Sequence, residues 1–203
     1  MPPVSSPKRP RIRAFPSIVA FAFCASAAAQ DTQWVQQWET AQRARPASLG
    51  WQGTIAPAGE PGTPMTIRGT VYESDGKTRA AGIIVFAHQT DRTGLYNLPR
   101  TPGWRLSGWA KTDPQGRFEF RTIRPEPYPS RSIPAHVHFT IEGPTLQRRW
   151  TPELRFADDP LVSEREKRAS SAAGSFGWVR PVIVKNGTQV VEVNIRISEE
   201  GLF

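Results

Sequence analysis

Residues 181–197 read PVIVKNGTQVVEVNIRI and contain the clearest signal for the fold. Asn186-Gly187 is the dipeptide preferred in two-residue hairpin turns, because both positions of such a turn have positive φ angles. After this turn, apolar and polar residues alternate: Val191, Val193, Ile195 and Ile197 against Glu192, Asn194 and Arg196. Side chains two apart on a strand share a face, so the stretch predicts a β-hairpin with one buried face.

Similar apolar segments recur upstream, with turn-forming residues between them. These strand candidates are Met65–Tyr72, Gly82–His88, Trp104–Lys111, Arg117–Ile123 and Ala135–Ile141. Gly (16) and Pro (20) together make up about 18% of the chain, where about 12% is usual. Both residues disfavour helix interiors. We therefore predict a mainly β protein, an antiparallel β-sandwich.

The first 29 residues have the order of a secretory signal peptide. Basic residues come first (Lys8, Arg9, Arg11 and Arg13), followed by the apolar run 14–25 and then by small residues up to Ala29. This order predicts cleavage before Gln30 and export to the periplasm or the medium. The run of about twelve apolar residues is shorter than the roughly twenty that span a bilayer, so no stable membrane association is expected after cleavage. An uncleaved interfacial anchor is the alternative.

Removal of this segment changes the charge of the chain. The full sequence has 26 basic and 18 acidic residues and a net charge of +8, and without the four N-terminal basic residues the charge is +4. Arg148-Arg149 remains as a basic pair, with no aromatic-interleaved basic stripe beside it. The composition therefore does not favour a nucleic-acid partner. The single cysteine, Cys24, lies in the segment predicted to be removed.

The remaining chain is predicted to hold a helical preface and one β domain. Asp31 can cap a helix from Thr32 to about Arg43, with Trp34 and Trp38 on one packing face. A turn-rich connector, Pro46 to Pro64, completes residues 30–64, and residues 65–203 form the sandwich. Within it, the polar stretch 159–177 is interpreted as a surface excursion.

Two of the three histidines form a His-x-His pair in the stretch Ile133–Phe139. On a strand, His136 and His138 face the same side and can bind one metal ion together. The alternative is a strand whose outward residues happen to be histidine. The spacing alone does not name the metal, since zinc, copper and iron all accept imidazole. Upstream, Tyr96 follows a predicted strand and Tyr128 lies in a proline-rich segment; either alone is typical of a packing residue.

Together these residues resemble the intradiol ring-cleavage dioxygenases, the family of protocatechuate 3,4-dioxygenase and catechol 1,2-dioxygenase. The matching segments are Gly69-Thr70-Val71, Asp75-Gly76, Gly94-Leu95-Tyr96, Thr112-Asp113, Gly116–Pro125, Pro127-Tyr128-Pro129, Pro134–Phe139 and Phe156–Leu161. They occur in family order, and the His-x-His with two upstream tyrosines is the specific part. The resemblance implies a β-sandwich of the short, exported, single-domain type.

The resemblance also implies a non-haem Fe(III) cofactor. Its ligands would be Tyr96, Tyr128, His136 and His138, with Tyr128 opposite His138 and displaced when substrate binds. The substrate would be a catechol-type small molecule, cleaved with O2 between its two hydroxylated carbons. Phenolates are hard anionic donors, which suits a ferric ion.

Four positions affect the expected substrate pocket. Ile133 stands where the family commonly has arginine, and Arg131 is a candidate catalytic substitute if the segment is extended. Glu153 stands where the family has glutamine, and a carboxylate there would repel a catecholate unless Arg131 or Arg155 pairs with it. His88 replaces an aromatic residue of the family; it either lines the pocket or is a solvent-exposed histidine at a strand end.

Two other functions are compatible with the sequence. One is a non-catalytic β-sandwich that binds a ligand and keeps a metal as a structural element, which the changes at Ile133 and Glu153 favour. The other is a cupin-type His-x-His site for zinc or copper, which needs a further Glu or His ligand. The sequence does not indicate an oligomeric state.

Overall fold

The computed structural model describes residues 34–97 and 103–198. The chain divides into two compact units, residues 1–36 and 37–203. Of the first unit only residues 34–36 are described, and they are helical. The predicted signal peptide and its cleavage site lie outside the described residues. In the part of the chain that is described, no helix is long and apolar enough to cross a membrane.

Twelve strands and two α-helices make up the described secondary structure. Helix α1 covers residues 34–43 in its described part. In chain order the strands are β1 (Gln52–Thr54), β2 (Pro64–Tyr72), β3 (Ile84–Gln89), β4 (Ser107–Lys111), β5 (Arg117–Ile123), β6 (His136–Glu142), β7 (Arg149–Trp150), β8 (Leu154–Phe156), β9 (Val179–Arg180), β10 (Ile183–Lys185), β11 (Thr188–Glu192) and β12 (Ile195–Arg196). Helix α2 (Glu164–Ala172) and a short 3₁₀ helix (Gly174–Phe176) lie between β8 and β9.

The strands form two six-stranded sheets. The first has the order β1-β5-β2-β11-β10, with β12 also pairing with β2; the second has the order β4-β3-β6-β8-β9, with β7 pairing with β6. The predicted sandwich is confirmed. The sheets are mixed rather than purely antiparallel, because β1 pairs in parallel with β5, β11 and β12 with β2, and β9 with β8.

Alternating residues of both sheets fill the core between them. Phe118 and Phe120 of β5 are fully buried and pack near Phe139 of β6, with ring centroids 6.2 and 6.5 Å away. Near the C-terminal end, Val191, Val193 and Ile195 are also buried, whereas the alternating Glu192 and Arg196 are exposed. The alternation that predicted the C-terminal hairpin therefore marks the true core face, and β10 and β11 pair around Asn186-Gly187 as expected.

The second sheet carries an aromatic layer on its outer face. Trp38 of α1 is 6% exposed and packs edge-on against Phe86, with ring centroids 5.2 Å apart, and 6.1 Å from Trp104. The expectation that Trp38 belongs to a packing face is confirmed. This layer lies beside the outward-facing side chains of β6, which include both predicted metal-binding histidines.

The structure contains elements that the sequence patterns did not indicate. Strand β1 lies within the predicted connector and pairs with β5, and its three residues are too few to show an alternation. Helix α2 occupies the stretch interpreted as a surface excursion. Its one buried residue is Ser170, so it has no apolar stripe to reveal it.

Candidate metal centre

Four predicted side chains meet at one point on the outer side of the second sheet. The hydroxyl oxygen (Oη) of Tyr96 lies 2.8 Å from Oη of Tyr128, 2.8 Å from Nε2 of His138 and 3.4 Å from Nε2 of His136. Tyr128 Oη is 3.2 Å from His136 Nε2, and the two Nε2 atoms are 3.1 Å apart. Tyr128 and His138 are the one pair of these four described residues with no hydrogen bond between them.

The five distances match those between ligands of one ion. Two donors each about 2.0–2.1 Å from a first-row metal lie about 2.9 Å apart at right angles and about 3.5 Å apart at 120°. The Tyr96–His136 distance of 3.4 Å fits the wider angle, and the other four, from 2.8 to 3.2 Å, fit the narrower one. Tyr96, Tyr128, His136 and His138 would therefore be able to hold one ion together.

Hydrogen bonding cannot account for this cluster. His136 Nδ1 lies 2.8 Å from the carbonyl oxygen of Pro134, which only accepts, so its proton is on Nδ1. His138 Nδ1 lies 3.2 Å from the carboxylate Oε1 of Glu153 and carries its proton for the same reason. Both Nε2 atoms therefore present lone pairs to each other, and two phenol protons must serve five close contacts. A cation at the centre satisfies all four donors.

The two histidines are positioned by strand β6 and its entry. His136 and His138 alternate with the buried Val137 and Phe139, so both point away from the sandwich core. Asp159 fixes the start of this strand, because its Oδ2 accepts a hydrogen bond of 2.8 Å from the backbone N–H of Ala135.

The tyrosines come from two loops that touch each other. Tyr96 follows β3, in a loop where Asp91 Oδ1 accepts hydrogen bonds from the backbone N–H groups of Thr93 (2.7 Å) and Leu95 (3.2 Å). Arg105 in turn pairs with Asp91 at 2.9 Å. Tyr128 follows β5, and this second loop passes so close to Gly94 that a Cβ there would lie 2.1 Å from the carbonyl oxygen of Pro127.

Glu153 is close to the centre without being one of its ligands. His136, His138 and Glu153 form a group whose ligand-type atoms lie within 4.8 Å of one another, and such a group can hold a metal. Glu153, however, faces Nδ1 of His138, whereas Tyr96 faces Nε2 on the other side of that ring. An ion bound by both Nε2 atoms would therefore also be bound by the tyrosines. Glu153 would not contact this ion and would interact with Nδ1 of His138 instead.

Burial shifts the pKa values of Tyr96, Tyr128 and His138 so that each group favours its neutral form. Burial raises the pKa of Tyr96 far above its usual value, with further contributions from Tyr128 and Glu153, and burial also raises the pKa of Tyr128. Burial, with a further contribution from neighbouring His136, lowers the pKa of His138 to about 4. Without a cation the site thus holds neutral phenols and a neutral His138, and a metal must displace the phenol protons.

His88 lies behind His138 and is buried. It is 2% exposed and opposes His138 in the β3–β6 pairing. Its ring stacks between Trp104, with centroids 3.8 Å apart at 7°, and His138, with centroids 4.6 Å apart at 13°. The interpretation as a solvent-exposed strand-end histidine is therefore wrong. Its role in a substrate pocket stays a prediction.

The remaining predicted pocket residues differ in their surroundings. Glu153 pairs through Oε2 with Arg155, 3.1 Å away, so the neutralising partner is Arg155 and not Arg131. Arg131 is exposed at a φ of +50°, in a turn closed by its N–H and the carbonyl oxygen of Tyr128, 2.7 Å apart. The extended segment needed to aim it at the site is therefore absent at this residue, and its catalytic role stays a prediction. Ile133 is 37% exposed.

The sequence patterns did not indicate the residues that fix the Tyr96 loop and the start of β6 through hydrogen bonds and an ion pair. Asp91, Asp159 and Arg105 are polar residues in loops or at a strand edge, and no local pattern distinguishes them. A capping signature, Ser163 followed by Glu166, does precede α2 and could have revealed that helix.

Comparison with known proteins identifies the family of this chain. The family model described as "Dioxygenase" matches residues 52–199. The chain is 30% identical over 118 residues to the protocatechuate 3,4-dioxygenase beta chain of Burkholderia cepacia, covering 52% of this chain and 50% of that protein. It is 31% identical over 119 residues to catechol 1,2-dioxygenase 1 of Acinetobacter lwoffii, covering 49% and 38%. The chain belongs to the intradiol dioxygenase family. It spans half or less of the length of these two relatives.

Solved structures share the fold of this family member. A dioxygenase domain from Streptomyces sp. SirexAA-E, part of a fusion with a carbohydrate-binding protein, superimposes with a TM-score of 0.57 at 20% identity, covering 75% of this chain and 91% of that one. An intradiol ring-cleavage dioxygenase from Tetranychus urticae gives a TM-score of 0.56 at 14% identity, covering 78% and 91%.

Proposed function

We propose that this chain is a non-haem Fe(III) dioxygenase that opens a catechol-type ring between its two hydroxylated carbons, using O2. The observation that carries the proposal is the convergence of two phenol oxygens and two imidazole lone pairs on one point. Its curated relatives are named as dioxygenases of protocatechuate and of catechol. The exposed Ile133 offers no charge for a substrate carboxylate, so we favour a catechol without one.

The donor set favours a trivalent ion on charge grounds. Two phenolates and one hydroxide carry a charge of −3, which balances Fe(III), and two neutral imidazoles add none. A catechol bound as a dianion, with one remaining phenolate, keeps the same balance. When bound, the ferric ion acts as a Lewis acid and template that holds the catecholate electron-rich toward O2.

The two tyrosines then have different tasks. Tyr96 contacts three of the other donors through one oxygen, and its loop is fixed by Asp91, so it is the tyrosine that stays in place. Tyr128 hydrogen-bonds to Tyr96 and His136 but not to His138. With iron bound, Tyr128 would be the group that gives way to substrate and takes one catechol proton at its Oη, while the hydroxide would take the other and leave as water. Ring opening then adds both atoms of O2 to the catechol, giving a cis,cis-muconate with no further reductant.

Iron content and colour test the proposal directly. Protein loaded with iron is expected to show a visible tyrosinate-to-iron charge-transfer band and to consume one O2 per catechol cleaved. Tyr96→Phe and Tyr128→Phe should each shift or abolish the band. Tyr72→Phe is the matched control, because Tyr72 stacks edge-on against Phe176 and is absent from the centre. Folded protein that stays colourless and iron-free after exposure to ferrous or ferric iron would refute the assignment.

A coloured protein that does not turn over any catechol under O2 would instead favour the non-catalytic, metal-stabilised sandwich. A protein that binds zinc or copper through the histidines but keeps full affinity in both tyrosine variants would favour the cupin-type site.

We further propose that the chain is exported and loses residues 1–29. Expression of the full sequence in a bacterial host, followed by fractionation and N-terminal sequencing, is expected to yield periplasmic or secreted protein that begins at Gln30. Recovery of intact chain from the cytoplasmic fraction alone would contradict this.

A further inference from the structure

A chain of charged side chains connects the metal ligand His138 to helix α2. His138 Nδ1 lies 3.2 Å from Oε1 of Glu153, and Oε2 of the same carboxylate lies 3.1 Å from Nη2 of Arg155. The second guanidinium nitrogen, Nη1, bonds to Oε1 of Glu166 in the first turn of α2. These side chains are only 18–32% exposed, so the charges interact through a partly dry environment.

The two imidazoles therefore differ in the group that accepts a hydrogen bond from Nδ1. His136 donates its Nδ1 proton to a neutral carbonyl, 2.8 Å away, whereas His138 faces a carboxylate. A carboxylate acceptor increases the electron density on the ring and strengthens Nε2 as a donor. Among the other three donors, His138 is also the one with no hydrogen bond to Tyr128, the tyrosine proposed to give way to substrate.

Helix α2 is built to hold this arrangement in place. Ser163 caps the helix by accepting a hydrogen bond of 3.2 Å from the backbone N–H of Glu166, which fixes the residue that grips Arg155. At the other end, Ser170 Oγ accepts a bond of 2.8 Å from the N–H of Val179, tying α2 to strand β9. Arg155 itself opposes His136 in the β6–β8 pairing. The segment 159–177, interpreted from the sequence as a surface excursion, thus contains the helix whose Glu166 binds Arg155.

We propose that Glu153 is a positioning residue that fixes the tautomer and donor strength of His138, and that Arg155 and Glu166 hold Glu153 in place. The inference rests on the proposed function, since it concerns a ligand of the same metal. It extends that function by giving this chain a carboxylate-backed ligand and by assigning a role to α2.

Nuclear magnetic resonance of metal-free protein tests the first step without any variant. With ¹⁵N-labelled histidine, His138 is expected to give the chemical-shift pattern of a proton on Nδ1. A proton on Nε2 would overturn the proposal. Because no iron or substrate is present, this result does not depend on whether the protein cleaves catechols.

Matched variants test the second step. Glu153→Gln keeps the shape and removes the charge; we expect an iron affinity about 10- to 100-fold lower, as is typical for loss of such a partner, and a shifted charge-transfer band. Glu166→Gln should give a smaller loss in the same direction. Glu164→Gln is the control, since Glu164 lies on the same helix but pairs with Lys167 at 2.9 Å.

Unchanged affinity and band position in Glu153→Gln, with wild-type secondary structure, would overturn the proposal. An equal loss in Glu164→Gln would do so as well, because it would show a general effect of charge near α2. Retained iron binding in every variant with no catechol turnover in any, wild type included, would refute the proposed activity while leaving the role of Glu153 to be decided by the band.

Discussion

Gly94 is the residue that allows the two tyrosine loops to meet. It has a φ of +78°, and an added Cβ would lie 2.1 Å from the carbonyl oxygen of Pro127. In Gly94→Ala the loop carrying Tyr96 must move away from the loop carrying Tyr128. We expect iron affinity to fall at least tenfold and the charge-transfer band to shift, as measured by titration with iron.

Gly187→Ala separates this clash from backbone strain. Gly187 has a similar φ of +77° and open space around it, so its replacement costs only the conformational penalty of about 1–2 kcal/mol. It should lower the denaturation midpoint and leave the iron site intact. Equal effects of the two variants on iron affinity would contradict the argument from close approach.

His88 has a buried nitrogen, Nδ1, with no hydrogen-bond partner in the described structure. A buried unsatisfied polar atom costs about 1–3 kcal/mol, and its ring is already stacked between Trp104 and His138. His88→Phe should therefore keep or raise the free energy of unfolding, measured with urea on metal-free protein. His88→Ala, which leaves a cavity in the stack, should lower it by about 2–4 kcal/mol. Lower stability in both variants to the same extent would show that Nδ1 has a needed partner.

At this scale the sequence predicted which side chains meet at the candidate centre but not what supports them. His136 and His138 are readable because strand geometry fixes their relation from two residues of spacing. Tyr96 and Tyr128 are 32 residues apart, and only the family pattern connected them with the histidines. The pairing of Glu153 with His138 depends on where β8 lies beside β6, which no local pattern contains.

Helix α2 is the element that sequence patterns described least well. It is polar on nearly all sides, and its stability depends on local interactions such as the Ser163 cap. Ser163→Ala should lower helix stability by about 1 kcal/mol and raise amide hydrogen-exchange rates through Glu164–Ala172 about fivefold. Ser171→Ala is the control, because Ser171 is exposed and contributes only its backbone carbonyl, which alanine keeps, to the C-terminal cap of the helix. Unchanged exchange in Ser163→Ala would show that α2 is held by packing alone.

The strands, by contrast, were predictable wherever one face is buried. Met65–Tyr72 and Arg117–Ile123 coincide with β2 and β5 to within one residue, because their alternation follows the buried face. The parallel pairs were not predictable, since the direction of pairing depends on how distant segments return to a sheet. Strands β7, β8 and β9 are two or three residues long, too short for any period to show.

At the scale of the whole molecule, the candidate metal centre combines residues that follow or belong to strands of both sheets. Tyr128 follows β5 of the first sheet, while His136 and His138 belong to β6 of the second. A metal bound by all of them links segments far apart in sequence, and its binding free energy adds to that of folding. Since the phenol pKa values are raised and these protons must leave, iron binding should also release protons and strengthen as the pH rises.

The metal-free protein should lose stability in mild acid because two of its histidines are buried and neutral. Burial lowers the pKa of His138 to about 4 and that of His88 well below 6.5. Below pH 6.5 the unfolded chain binds protons that the folded chain does not, so stability falls with pH, by up to about 1.4 kcal/mol per pH unit for each group. Nearby His138 also holds the pKa of Glu153 low against the effect of burial, so the loss continues as that carboxylate is protonated.

The variant His88→Phe separates the contributions of His88 and His138 to this loss of stability at low pH. Urea denaturation of metal-free protein from pH 7.5 to 4.5 should show a steep fall in the wild type and about half that slope in the variant, because only His138 then takes up a proton on unfolding. Iron-loaded protein should keep its stability to lower pH than the metal-free form, since the ion occupies Nε2 of His138 and excludes its proton. Identical slopes in wild type and variant would mean that His88 is protonated in the folded state, which is incompatible with its burial between two rings.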